Sequence, residues 1–258
     1  MTTNVGRMPY LNSVLFYQAF PDSGPDVLRP MVPSAMASAA RDGRVDAGPI
    51  PLLDALALED TFEPLGGYCI ATTVKARSIL LFSTVPVEHL TGRTVGVTDE
   101  TSTSGRLLRV LLSQRFQVQP SKYVGVDDPN EAALYIGNTA LRLRGGIDGK
   151  PHVYDLGEEW HRWTGLPTVF ALWIVRRDLP KGDKDRLAAA IQLGLDRGMD
   201  DLTEAQNGVA GLGMSGADVR AYLEGFSFTV GENEQRAIEG FTGQVKRLAQ
   251  REELLHAG

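Results

Sequence analysis

Two apolar runs, SILLFS at residues 78–83 and VFALWIV at residues 169–175, decide how this chain is organised. Each has the length of a strand, and VFALWIV is continuous enough to be buried on both faces. The runs bracket a block of alternating strand and helix patterns, and a second such block precedes it. If both runs cross between lobes, residues 1–82 with 176–258 form one lobe and residues 83–175 the other. The expected architecture is a two-lobed α/β hinge fold with two crossover strands and a mostly helical C-terminal tail. A single doubly wound sheet with a helical cap is the competing arrangement.

The chain has 258 residues, enough for two lobes, and its 43% hydrophobic and 22% charged content is that of a globular protein. A formal net charge of -6 argues against nucleic acid as a partner, because neutralising phosphates needs a basic face. A small anion is still allowed, since local N–H groups and hydroxyls hold one whatever the global charge. The single cysteine, Cys69, lies in the run YCIA and reads as a small buried hydrophobe; an intrachain disulfide is excluded. The N-terminal MTTNVGRMPYLNSVLFY lacks the cationic and apolar regions of a signal peptide. No stretch approaches the roughly 18 apolar residues that span a bilayer. A cytoplasmic location, away from membranes, is the expectation.

Outward from the two runs, Val5–Met8 reads as a strand, followed by a Pro-Tyr-Leu-Asn loop and a helix from Ser13 to Phe20. Val27–Val32 and Val45–Ile50 are strands flanking a helix that Ser34 caps and Gly43 ends. Pro51 opens a short helix over Leu52–Leu58. Thr94–Thr98, Lys122–Val126, Ala133–Ile136 and Val153–Asp155 are further strands, and Thr103–Arg115 is an amphipathic helix. Beyond Asp178 the pattern turns helical, over Asp185–Met199, Leu202–Gly208, Gly216–Gly225 and Asn233–Arg251, with one strand at Phe226–Val230.

In open α/β sheets, ligands sit beyond the C-terminal ends of strands, at the helix starts that follow. After the first strand, Asn12 is positioned either to cap a helix or to present its amide to a ligand. After Thr94–Thr98 comes Thr101-Ser102-Thr103-Ser104, four hydroxyl residues opening a helix, which is more than a cap requires. Hydroxyls, free N–H groups and the positive end of the helix dipole make an anion site suited to a carboxylate or phosphate. Arg106 and Arg109 read as solvated helix residues or ion-pair members, Arg106 being the one within reach of a ligand. Ser78 enters an apolar strand and needs a partner, either a backbone group or a ligand.

Asp46, Asp99, Glu100 and Asp155 lie near strand ends but read as caps or solvated groups, so no acid–base pair is evident. The four histidines lack ligand spacing, and no metal or cofactor is expected. Residues 211–216, GLGMSG, satisfy G-x-G-x-x-G, but no strand precedes them; a glycine-rich turn with Ser215 as N-cap is the reading.

Several segments together resemble the chorismate dehydratase family of the futalosine route to menaquinone. They are VGRMPYLN at 5–12, PS at 33–34 with GRVDAGPI at 43–50, and RS at 77–78. TSTS at 101–104, IGNTAL at 136–141 and YDLG at 154–157 with Trp160 continue the series, as do WTGLP at 163–167 and VFALW at 169–173. The resemblance implies a type-II periplasmic-binding-protein-like fold used as an enzyme, a hydro-lyase converting chorismate to 3-[(1-carboxyvinyl)oxy]benzoate without cofactor or metal. It places Asn12 and Ser78 nearest the reacting ring as catalytic residues and gives the Thr101–Ser104 run a carboxylate to hold. Tyr10, Leu11, Ser34, Asn138 and Phe170 fall on segments that line the substrate. This chain departs from the family pattern at Asn138, where Asp is usual, and at Thr168, where Phe is usual. The Tyr-Leu-Asn loop disfavours the sister enzyme dihydroxynaphthoate synthase, and the absent signal peptide and lipobox disfavour a transporter's solute-binding protein.

Overall fold

The structure, a computed structural model, describes residues 2–200, 202 and 211–256; the helix expected over Leu202–Gly208 lies outside them beyond Leu202 itself. The chain divides into two compact units, Met1–Ala71 with Val169–Val230, and Thr72–Thr168 with Gly231–Gly258. It therefore passes between units three times, after Ala71, Thr168 and Val230, where two crossings at 82/83 and 175/176 were expected. Ile79–Ser83 (β5) is hydrogen-bonded on both sides by strands of the second unit, so it belongs wholly to that sheet. The first crossing falls earlier, at the end of an eleven-residue strand, Phe62–Thr72 (β4). Gly66 and Gly67, with φ of 60° and 69°, break the β pattern of that strand in the sequence. The last helix, Glu232–His256, goes with the second unit instead of the first, because its face packs on that unit's helices.

The first unit is built on a six-stranded sheet, in the order Phe226–Thr229 (β11), β4, Thr168–Arg176 (β10), Ala47–Pro51 (β3), Thr3–Arg7 (β1) and Asp26–Pro30 (β2). β1 runs parallel to β2 and β3, while β10 is antiparallel to β3. Gly48 lets β3 approach β1 closely: a Cβ there would sit 3.2 Å from the Gly6 Cα. Pro33–Arg41 (α1) follows β2 and ends at Gly43, whose φ of 69° is the left-handed stop. Leu52–Ala57 (α2) follows β3.

A 3-10 helix, Leu11–Tyr17, stands where an α-helix over Ser13–Phe20 was expected. Tertiary burial sets it: six of its seven residues are buried, and Phe16 and Tyr17 meet Trp173 of β10 edge-on or tilted at 5.5 and 5.9 Å. Lys181–Gly198 (α6) lies against it, and Gly194 is the contact point. Cys69 is a fully buried thiol that forms no disulfide and donates to the Ser227 carbonyl at 3.8 Å, and Ser215 caps the helix Gly216–Leu223 with Asp218 in a capping box, as read from the sequence.

The second unit carries a five-stranded sheet, in the order Lys122–Gly125 (β7), Thr94–Val97 (β6), Ala132–Ile136 (β8), β5 and His152–Asp155 (β9). β6 is parallel to β7 and β8, and β5 is antiparallel to β8 and β9. Thr103–Val110 (α3) continues into a π-turn over Leu111–Arg115. Gly137–Leu143 (α4) and Leu156–Thr164 (α5) are helices the sequence pattern did not announce. Trp160 of α5 is buried, donates from Nε1 to the Pro167 carbonyl at 2.9 Å, and meets Phe241 of the last helix at 5.7 Å. Arg115, closing the π-turn, reaches the buried Glu159 of α5 at 2.5 Å and so fixes α3 against α5. No described helix is long and apolar enough to cross a membrane.

Gly194→Ala separates two effects of opposite sign. Alanine favours the helix by about 1 kcal/mol, but its Cβ would lie 2.4 Å from the Leu15 carbonyl oxygen, a backbone atom that cannot turn aside. Overpacking of this kind costs ~1–3 kcal/mol, so the variant is expected to unfold at lower urea than the parent, with an unchanged m-value.

Candidate functional site

The ligand end of the first sheet is where β1, β2 and β3 terminate and β10 begins. β1 leads through Met8 and Pro9 into Tyr10, Leu11 and Asn12, and β2 leads into Ser34 in the first turn of α1. Phe170 precedes Ala171, which pairs with Pro51 at the end of β3. Tyr10, Leu11, Asn12, Ser34 and Phe170 are thus gathered on one edge of this sheet. Ser34 is not the N-cap it was expected to be: Val32 holds that position, Pro33 starts the helix, and Ser34 is half-buried inside it.

Asn12 does not cap either. The N-cap of the 3-10 helix is Tyr10, and no side chain makes a cap bond there. Instead Ser13 does the local work, its Oγ lying 2.8 Å from both the Met8 and Tyr10 carbonyls. The Tyr17 hydroxyl accepts from the Met8 N–H at 3.0 Å and donates to the Gly6 carbonyl at 3.1 Å. Burial pushes the Tyr17 phenol far above its ordinary value, so it stays a neutral donor. This bracing leaves Asn12 only 7% exposed with its Oδ1 buried and unpartnered among the described residues. A buried acceptor without a donor is destabilising and is retained where something else satisfies it.

In the second unit the ligand end is formed by the C-terminal ends of β6, β8 and β9 and the start of β5. Ser78, Thr101–Ser104 and Asn138 all lie on it. Thr101 Oγ1 accepts from the Gly105 N–H at 3.1 Å, and Ser102 is the N-cap residue but makes no side-chain cap bond. Thr103 and Ser104 are buried, and Thr103 Oγ1 has no partner among the described residues. The hydroxyl run therefore spends one member on its own turn and holds another unpaired beside N–H groups that a helix start cannot satisfy internally. Arg106 is exposed; Arg109 makes no ion pair among the described residues and stacks on the Tyr123 ring at 3.9 Å.

Ser78 is 1% exposed, and its Oγ donates to the Ala76 carbonyl at 3.2 Å. Its own carbonyl accepts from the Gly137 N–H at 2.8 Å, which fixes Asn138 next to it. Before it, Arg77 has a φ of 57°, a left-handed conformation that costs a non-glycine residue ~1–2 kcal/mol. Asp155 compensates. Its Oδ2 accepts from the Arg77 N–H at 2.6 Å, and its Oδ1 from Ala76, Gly157 and Glu158 N–H groups at 3.0, 2.9 and 3.1 Å. Burial raises the Asp155 carboxyl above its usual range, and these four N–H groups oppose the rise.

Asp155 is thus the cap read from the sequence, and more, since it also grips the turn before Ser78. Asp46 lies before β3, at the edge away from the candidate residues, and accepts from the Asn4 N–H at 2.8 Å. Sequence reasoning missed two further buried hydroxyls without described partners, Thr72 and Thr168, where the chain leaves and re-enters the first unit. A polar residue heading an apolar run was the available signal at Thr168. Among the described residues no group of three or more His, Cys, Asp or Glu side chains is placed to hold a metal ion.

Comparison with known proteins adds the following. The pattern of a family described as menaquinone biosynthesis matches residues 3–247. A chorismate dehydratase of Thermus thermophilus is 28% identical over 210 residues, 71% of this chain and 73% of that protein. Among solved structures, an Archaeoglobus fulgidus protein superposes with a TM-score of 0.75 at 14% identity, over 98% of both chains. A Candida albicans protein described as having the generic periplasmic binding protein fold matches with a TM-score of 0.59 at 12% identity, over 96% of this chain and 90% of that one. The alkanesulfonate-binding protein of Xanthomonas axonopodis matches with a TM-score of 0.61 at 15% identity, over 99% and 92%. The fold is periplasmic-binding-protein-like.

Replacing Asn12 by leucine, of similar size, removes the unpaired acceptor. Leaving such a group buried costs ~1–3 kcal/mol, so Asn12→Leu is expected to raise the urea midpoint by an amount equivalent to about 1 kcal/mol. An unchanged or lowered midpoint in ligand-free protein would show that Oδ1 already has a partner.

Proposed function

The chain belongs to the menaquinone biosynthesis family, and on that premise we propose that it is a chorismate dehydratase, removing water from chorismate to give 3-[(1-carboxyvinyl)oxy]benzoate. The observation that carries the reading at the level of residues is the buried, unpartnered Asn12 Oδ1 at the ligand end of the first sheet. An acceptor of that kind suits a substrate hydroxyl, and chorismate carries one, at C4, which is the group that leaves.

The reaction asks little of acid–base side chains. The C3–H of chorismate is acidified through C1=C2 by conjugation to the ring carboxylate, and loss of the C4 hydroxyl makes the ring aromatic. The proton leaves C3, the C4–O bond breaks, and the departing hydroxide takes up a proton as water. We assign the proton-accepting role to the substrate's own enolpyruvyl carboxylate, held by the Asn12 amide N–H and the Ser78 hydroxyl, which would exchange its 3.2 Å bond to Ala76 for the ligand. The Thr101–Ser104 run, with Thr103 Oγ1 unpaired, takes the ring carboxylate as charge builds there. Tyr10, Leu11, Ser34 and Phe170 shape the apolar surround, and Asn138 contributes a neutral amide where the family pattern has an acid. In this reading the protein orients the substrate and supplies fixed donors.

Purified protein incubated with chorismate is expected to yield a product lighter by one water, detected by mass spectrometry. Asn12→Ala and Ser78→Ala should each lower turnover by ~100-fold or more, the loss seen when one fixed donor is removed. An analogue without the enolpyruvyl carboxylate should bind without reacting; its normal turnover would remove that group from the mechanism. Chorismate bound but unchanged would identify a solute-binding protein instead, and chorismate neither bound nor changed would direct attention to the naphthoate-forming sister enzyme.

A further inference from the structure

Four backbone N–H groups converge on Asp155, and two of them come from outside the helix it caps. Gly157 and Glu158 are ordinary capping donors; Ala76 and Arg77 lie 79 and 78 residues away in sequence. Among the described residues no side-chain cation is hydrogen-bonded to this carboxylate. What it holds is a turn, with Arg77 in the left-handed region at φ 57° and Ser78 immediately after it. The packing around it leaves no slack: a Cβ on Gly157 would meet the Ala76 nitrogen at 3.0 Å, Thr72 Oγ1 at 3.1 Å and Asp155 Oδ1 at 3.2 Å. The constraint then propagates, because the Ser78 carbonyl accepts from Gly137, itself at φ 58°, directly before Asn138.

We propose that Asp155 is a positioning residue for the reaction: by accepting from the Ala76 and Arg77 N–H groups it holds Arg77 left-handed and so fixes where the Ser78 hydroxyl sits. A cap alone needs two of the four bonds; the other two exist only to fix the turn. The inference rests on the substrate-holding role assigned to Ser78, and it goes beyond that role by naming the group that sets it. Glycine at position 77 would enter the left-handed region freely, and a β-branched residue would resist it.

The test measures kcat and KM for chorismate in Asp155→Asn, in the double variant Asp155→Asn with Arg77→Gly, in Arg77→Val and in Ser78→Ala. Asparagine keeps one acceptor oxygen and replaces the other by a donor, so the grip on the turn is lost while the helix cap can persist. Asp155→Asn should lower kcat by about 10- to 100-fold, the scale of a misplaced group, with KM changed less than about threefold, since the interaction is realised in the transition state. Adding Arg77→Gly should recover at least about threefold of that kcat by freeing the turn from strain. Arg77→Val, with Asp155 intact, should show the same kcat-selective loss, and it decides the matter if Asp155→Asn does not fold. A parental kcat in Asp155→Asn or in Arg77→Val overturns the proposal, as does a loss that Arg77→Gly leaves unrelieved in a folded protein. Full activity of Ser78→Ala overturns instead the role given to Ser78, and a fall in Ser78→Ala beside an unimpaired Asp155→Asn removes the positioning role alone.

Discussion

One buried phenol organises the first unit's ligand end. The Tyr17 hydroxyl spans from the Gly6 carbonyl to the Met8 N–H, closing the gap where β1 stops and its backbone groups lose their sheet partners. A strand end buried in this way must satisfy its polar groups or lose several kcal/mol. Tyr17 reaches back nine residues to Met8 and eleven to Gly6, so the intervening chain has to turn tightly, and the 3-10 helix is the result. The Phe16, Tyr17 and Trp173 rings press that helix onto the sheet. Asn12 is then delivered to a buried position by its neighbours' bonds, with its own acceptor left over.

The second unit reaches the same end by different means. There a carboxylate collects N–H groups from a turn and a helix start, and the hydroxyls of Ser78 and Thr103 lie close by in the sheet's ligand edge. In both units the backbone is thoroughly paired around the candidate residues, while individual side-chain atoms, Asn12 Oδ1 and Thr103 Oγ1, are left unsatisfied. Rigid surroundings and unpaired atoms together are what the proposed site asks for, since donors and acceptors fixed beforehand leave little to reorganise as charge develops.

Much of this was legible in the sequence. Alternation of apolar and polar residues found most of the strands, and the hydroxyl run after β6 stood out because four such residues exceed what one helix start uses. Gly43 and Ser215 announced a stop and a cap that the structure contains. Other features were not legible, for physical reasons. Gly66 and Gly67 interrupt β4 although the strand continues through them, so the first crossing was placed eleven residues late. Asn12 and Ser34 have the chemistry of caps, and only tertiary packing decides that Tyr10 and Val32 take those positions. The last helix joins the second unit through Trp160 and Phe241, a contact 81 residues apart in sequence that no local pattern encodes. The grip of Asp155 on residues 76 and 77 is equally non-local.

The interleaving of the two units also governs the order in which the chain can fold. The first unit's sheet lacks its central β10 until residue 168 onward has been synthesised, and β11 only completes it at Thr229. The second unit's strands are all made by Asp155, yet the helix that covers Trp160 begins at Glu232. Neither unit can close while the ribosome still holds the last quarter of the chain. Contacts of such long sequence separation make for slow folding, and half-built sheets with open edges are the species that chaperones bind. A nascent chain of this protein therefore carries an incomplete first sheet and an uncovered second one until late in its synthesis, and its yield in a cell depends on how well those surfaces are protected until the helix from Glu232 emerges.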